Sequence, residues 1–213
     1  MFAAMPDYSA ALSKYMPAEA ASIVSQWIND SACRFRISRD RTSKFGDYRP
    51  PYGRHGHRIS INQGLNPYAF LITTVHEFAH LKTWHEYKNR VKPHGQEWKT
   101  NFKRLMYPFI VARLFPDDIR KALTYYMENP AASSCTDLNL FRKLKEYDTP
   151  KSNTKTIDQL PEEALFVIKK GRIFQKKEKL RKRYRCIEVK TQRVYLFNPI
   201  AEVTPYRDTG QGS

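Results

Sequence analysis

Two histidines four residues apart, His76 and His80, stand with Glu77 in the stretch L-I-T-T-V-H-E-F-A-H-L-K-T-W. On a helix that spacing puts both imidazoles on one face, about 6 Å apart along the axis, where they can grip one Zn²⁺. Glu77, beside the first ligand, is placed to take a proton from the water such an ion carries. The surrounding apolar residues, Leu71, Ile72, Val75, Phe78, Ala79 and Leu81, predict a helix buried against a core. Two histidines do not complete a catalytic zinc site, which takes three protein ligands and leaves one position open.

Four candidates for the third ligand follow: His85, Glu86, His94 and Glu97. One uninterrupted helix turns His85 and Glu86 well away from the ligand face, in opposite senses. The run E-Y-K-N-R-V-K-P reads as a helix ending in a charged loop, with Pro93 opposing continuation. A new helical pattern starts at Gln96 and runs to about Arg113, and the loop before it is long enough to return to the metal. His94 at its entry is the favoured ligand. Glu97, one turn further on, is the alternative, for a site of two histidines and one glutamate.

With these motifs in view, the chain resembles the SprT-like family of zinc metallopeptidases. H-E-F-A-H is followed by H-G-Q-E-W-K and preceded by R-T-S-K-F-G-D-Y and R-I-S-I-N-Q-G-L, so the resemblance covers roughly residues 20–109. It implies one catalytic Zn²⁺ on His76, His80 and His94, with Glu77 catalytic. It also implies a zinc-dependent endopeptidase acting on DNA-associated or DNA-crosslinked proteins. A different class of function, a nucleic-acid-binding adaptor whose zinc is structural or vestigial, stays open beside it.

The elements around this helix set the fold expectation. Residues 10–28 read as helix divided at Pro17, and Cys33–Ser38 and Arg58–Asn62 alternate as strands. Arg39–Tyr52, polar and carrying Gly46, Pro50 and Pro51, reads as a loop or twisted hairpin. The Arg58–Asn62 strand is expected beside the cleft, where an edge strand would hold extended substrate by backbone pairing. His55 and His57 read as solvent-exposed or substrate-contacting. Tyr48, Tyr52, Arg90 and His85 are all within sequence reach of the cleft as donors to an oxyanion.

Trp98, Phe102, Leu105, Met106, Phe109 and Ile110 form the apolar stripe of the second helix, which Pro108 should kink or end. A helix from Pro116 to about Met127 follows. After a small-residue break containing Ser133, Ser134 and Cys135 comes a last one over 137–147, capped by Thr136 or Asp137.

The fold class expected is α+β: a zincin-like helical metalloprotease domain with a small β-sheet over 1–148, then a linker over 149–160. A small basic antiparallel β module over 161–204 and a flexible tail over 205–213 complete the chain. The module has four strand-like runs, over 164–168, 171–174, 183–189 and 194–197. Many SprT-like proteins carry a cysteine zinc ribbon in that place, but here only Cys186 remains, so this module must fold by packing.

Charge points to the partner. The chain of 213 residues carries a formal net charge of +16, which favours a polyanion. From Lys169 to Arg193 there are twelve Lys or Arg against two Glu. Arg181, Arg183 and Arg185 alternate with Tyr184 there, so the arginines could contact phosphates, while Tyr184 either stacks on an unpaired base or faces the core. DNA or another nucleic acid is the expected partner, alongside a protein substrate. The start, M-F-A-A-M-P-D-Y, lacks the pattern of a secretory signal, and no stretch is apolar enough to span a membrane. Three scattered cysteines without C-x-x-C spacing fit a reducing, cytoplasmic setting, nucleoid-associated if DNA is bound.

Overall fold

Asn66 and Pro67 start the helix that carries the site. A computed structural model of the chain describes residues 5–41, 44–131, 137–149, 153–168 and 171–206. In it the Asn66 side chain accepts from Tyr68 N and Ala69 N, at 3.1 and 2.9 Å, and Pro67 occupies the first turn. Its amide also donates to Leu144 O (2.8 Å) and Asp148 Oδ1 (2.7 Å), pinning the helix start to the end of a later helix. Asn66→Ala removes the cap and leaves the buried Leu144 carbonyl without this donor. It should cost about 2 kcal/mol, read as a fall in the urea midpoint at unchanged slope.

The chain divides into two units, Met1–Asp148 and Thr149–Ser213. In the first, helices α1 (Ser9–Leu12) and α2 (Ala18–Asp30) precede strands β1 (Arg34–Ser38), β2 (Gly46–Arg49) and β3 (Arg58–Asn62). The site helix α3 (Pro67–Tyr87) is followed by α4 (Gln96–Val111), α5 (Asp117–Glu128) and α6 (Leu138–Lys145). Asp137 caps α6 through Leu140 N; Thr136, Ser133, Ser134 and Cys135 lie outside the described residues.

α3 is buried over most of its surface, with Thr73, Thr74 and Glu77 enclosed along with its apolar residues, as suits a helix surrounded by its neighbours. Phe70, Leu71, Ile72, Val75, Phe78, Ala79 and Leu81 are all buried. Trp27 of α2 meets Phe78 and Phe109 edge-on, at 5.3 and 5.6 Å, and Phe35 of β1 stacks on Phe78. α4 runs on through Pro108 to Val111. Pro108 and Arg104, whose carbonyl would have paired with the missing N–H, both face solvent, so the lost bond is tolerated.

The small sheet decides one expectation and corrects another. Gly46–Arg49, in a stretch read as a loop or twisted hairpin, is a strand, paired antiparallel with β3. The order is β1-β3-β2, so β3 is central and cannot offer a free edge; β2 lies at the rim and packs on α3. Asn62, buried at the end of β3, holds Arg41 and Lys44: its amide donates to Arg41 O and Lys44 O, and its oxygen accepts from Arg41 Nε.

The second unit is a six-stranded antiparallel sheet in the order β4-β9-β5-β6-β7-β8. Its strands are β4 (Lys155–Thr156), β5 (Leu165–Val167), β6 (Ile173–Lys179), β7 (Tyr184–Glu188), β8 (Val194–Phe197) and β9 (Glu202–Pro205). The linker expected over 149–160 is thus partly wrong. Lys155 and Thr156 pair with Val203 and Glu202, and a short 3-10 turn buries Ile157 in this unit's core. The strand set likewise extends past 204 to Pro205, and residues 207–213 lie outside the described residues. The core consists of Ile157, Leu160, Phe166, Phe174, Cys186 and Val203, with Phe197 edge-on to both buried phenylalanines. Cys186 is a packing residue here, its thiol pushed up to about 11 by burial.

Candidate metal centre

α3 carries His76 and His80 on one face, and the turn after it delivers the third imidazole. Lys88 ends the helix in a left-handed conformation, φ 55°, its N–H on Trp84 O at 2.7 Å. The chain returns through Pro93 to α4, with Gly95 N closing a turn on Lys92 O. His94 therefore arrives opposite α3, with Nε2 3.3 Å from His76 Nε2; His80 Nε2 is 3.2 Å from the same atom.

One donor atom from each of His76, His80 and His94 lies within 4.8 Å of the other two. Ligands about 2.05 Å from a tetrahedral ion stand roughly 3.3 Å apart, so the two short separations fit such an ion. The chemistry of the donors fits as well. Burial, reinforced by the neighbouring imidazoles, holds His76 well below its ordinary pKa. His80 is pushed down to about 3, chiefly by burial and then by His94, and His94 is lowered by burial. All three are neutral at pH 7, with lone pairs available to a metal.

Trp98, one turn into α4, is fully buried against the cluster, with ring centroids 4.6 Å from His76, 5.4 Å from His80 and 4.8 Å from His94. It is both the core residue its place in the stripe predicts and one wall of the metal centre. Its Nε1 is buried without a partner among the described residues.

The other sequence candidates are elsewhere. His85 is exposed and stacks on His57 at 4.6 Å. Glu86 accepts from Asn101 Nδ2 at 2.7 Å and pairs with Lys82. Glu97 lines a polar groove between the end of α3 and the start of α4, with Gln96 and Arg104, outside the three-histidine group. His55 is exposed, whereas His57 is half-buried, its Nδ1 2.9 Å from Tyr48 Oη.

Glu77 lies beneath β2, only 6 % exposed. Burial, and then the Asp47 carboxylate, push its carboxyl up to about 8; the Tyr48 backbone, Lys44 and Arg41 pull the other way. A Cβ at Gly46 would fall 2.4 Å from Glu77 Oε1 and 2.7 Å from Thr73 Cγ2, so only glycine lets β2 pass this close. Tyr48 continues the same strand, with its ring parallel to His80 at 6.4 Å. Sequence reasoning gave Gly46 no role because, locally, it is one turn-former in a polar stretch. Its use follows from a contact with a residue thirty-one positions away.

The fold and site together define a mixed helix-and-sheet protein with three convergent, neutral imidazoles able to hold a metal ion, and with a buried carboxyl next in sequence to the first of them. Residues 15–118, a segment that contains all four of those side chains, match the SprT-like family. No curated protein and no solved structure matches the chain. Among the described residues no helix is long and apolar enough to cross a membrane.

Proposed function

We propose that the protein is a zinc-dependent endopeptidase of zincin-like design in which His76, His80 and His94 hold one Zn²⁺ and Glu77 is the general base. The observation that carries this is the convergence of the three imidazole nitrogens, with a buried acid following the first of these histidines on α3. An ion held there would polarise the scissile carbonyl and acidify the attacking water. Glu77 takes the proton of that water and passes it to the leaving amine. Burial favours the protonated carboxyl in the metal-free site, and the charge of a bound dication would favour the carboxylate that a base requires. Trp98 and the apolar body of α3 keep water from the far side of the imidazoles.

DNA-associated or DNA-crosslinked proteins are the substrate class we propose, in a cytoplasmic, nucleoid-associated setting, with nucleic acid bound by the C-terminal unit. Part of that unit's charge is already engaged. Arg172 pairs with Glu188, Arg185 with Glu178 and Lys177 with Glu163, while Lys176 is buried and donates to Leu160 O. Tyr184 packs against the core with the Lys176 ammonium over its ring at 4.2 Å, so it is no open stacking platform for a base. Arg181, Lys182, Arg183, Lys190 and Arg193 remain exposed for phosphates. About five such contacts should weaken binding a few hundredfold between 50 and 200 mM salt, measured by fluorescence anisotropy with a labelled oligonucleotide.

The deciding experiment is metal analysis joined to a casein or histone digest, with and without single-stranded DNA. One zinc per chain with cleavage supports the peptidase. The basic unit also favours a second reading, an adaptor whose zinc is structural. Salt-sensitive nucleic-acid binding with zinc present and no cleavage under any DNA condition would select it.

A further inference from the structure

A tetrahedral oxyanion needs a hydrogen-bond donor held in place before the reaction begins, and the structure discriminates among the sequence candidates. Tyr52 is 82 % exposed with its ring in solvent. Arg90 is exposed, its guanidinium Nε turned back onto Tyr87 O. His85 is exposed and stacked on His57. Tyr48 alone joins the machinery: its strand passes over Glu77, its ring lies parallel to His80, and its hydroxyl is fixed 2.9 Å from His57 Nδ1. His57 is itself clamped, edge-on to Trp84 at 4.9 Å and stacked on His85.

We propose that Tyr48 Oη is the donor that stabilises the oxyanion, and that His57 positions it by donating Nδ1–H to the phenol oxygen. The direction of that bond decides the matter. If the phenol donates to His57, its only proton is committed; if His57 donates, the proton remains free for the substrate. The clamp of Trp84 and His85 fixes the place of the His57 ring, so a phenol bonded to it loses little freedom when the transition state forms. Tyr48 is thus a catalytic residue and His57 a positioning residue.

This rests on the peptidase reading, and the test keeps the two apart. Zinc-loaded wild-type, Tyr48→Phe, His57→Leu and His57→Asn proteins are compared for metal content, casein cleavage and affinity for a peptidyl phosphonate, whose anionic tetrahedral centre mimics the oxyanion. Tyr48→Phe should keep one zinc per chain and its KM within about twofold, while kcat falls about 10²–10³-fold. Phosphonate affinity should fall with kcat. His57→Leu should lose roughly tenfold or more in kcat, and His57→Asn, whose amide N–H can stand where Nδ1–H stood, should recover most of it. Long-range 1H–15N spectra of the metal-free protein should show His57 protonated at Nδ1.

A His57 protonated only at Nε2 overturns the proposal. So does Tyr48→Phe protein that cleaves at full rate and binds the phosphonate undiminished, with the peptidase reading left standing. Zinc-loaded wild-type protein that neither cleaves nor binds the phosphonate overturns both.

Discussion

Glu77→Gln is expected to lower peptide-bond cleavage by about 10²–10⁴-fold while the protein still takes up one zinc per chain. The carboxyl is not among the three converging donors, so metal content should not follow it. Glutamine has the same shape and can keep the packing beneath Gly46 and Thr73, so the loss falls on proton transfer. Full activity in this variant would remove Glu77 from the chemistry. Stability should move the other way. Burial raises the folded-state pKa from about 4.5 to about 8, so the folded chain keeps a proton that the unfolded chain releases. The metal-free protein therefore loses stability as pH rises through that window, and is most stable, as far as this group goes, below 4.5. Without that proton the variant should melt higher at pH 8, by roughly 4–8 °C for a gain of about 2 kcal/mol, in metal-free differential scanning calorimetry.

What could be read from the chain alone was whatever depends on near neighbours. The α3 start follows from Asn66-Pro67, its ligand face from a four-residue interval, and the return of His94 from the charged, proline-ended loop. These are one-dimensional signals with a local cause. Strand β2 gave no such signal, since G-D-Y-R does not alternate and becomes a strand only by pairing with β3. With β2 went the placement of Gly46 over Glu77 and of Tyr48 against His57. The polar run read as a linker failed for the same reason: Lys155 and Thr156 are a strand because Glu202 and Val203 are beside them, nearly fifty residues on. Tyr184 was open in the sequence for the same reason. Alternation with arginines allowed either a base-stacking ring or a core residue, and the period-two pattern that exposes one set of side chains buries the other, so Tyr184 packs inward with Phe174 and Cys186.

Zinc should stabilise the first unit strongly, and acid should undo it. Ligand in hundredfold excess over its dissociation constant adds about 2.7 kcal/mol, roughly 5–11 °C in melting temperature. His80→Ala, which removes one of three ligands, should abolish most of that shift. Protons compete for the same nitrogens. Burial depresses His76, His80 and His94 in the folded state, His80 to about 3, against about 6.5 unfolded. Their contribution is therefore present above pH 6.5 and lost as pH falls from there toward the folded values. Glu77 opposes this between 4.5 and 8, because its raised pKa favours the folded state as pH falls. The Glu77→Gln background separates the two effects: there the acid limb below pH 6.5 should be steeper, since the imidazoles act alone. Melting curves from pH 7.5 to 5, with zinc and with chelator, test this directly. A zinc shift that survives His80→Ala, or that is as large at pH 5 as at 7.5, would mean that the ion is held by groups other than these three nitrogens.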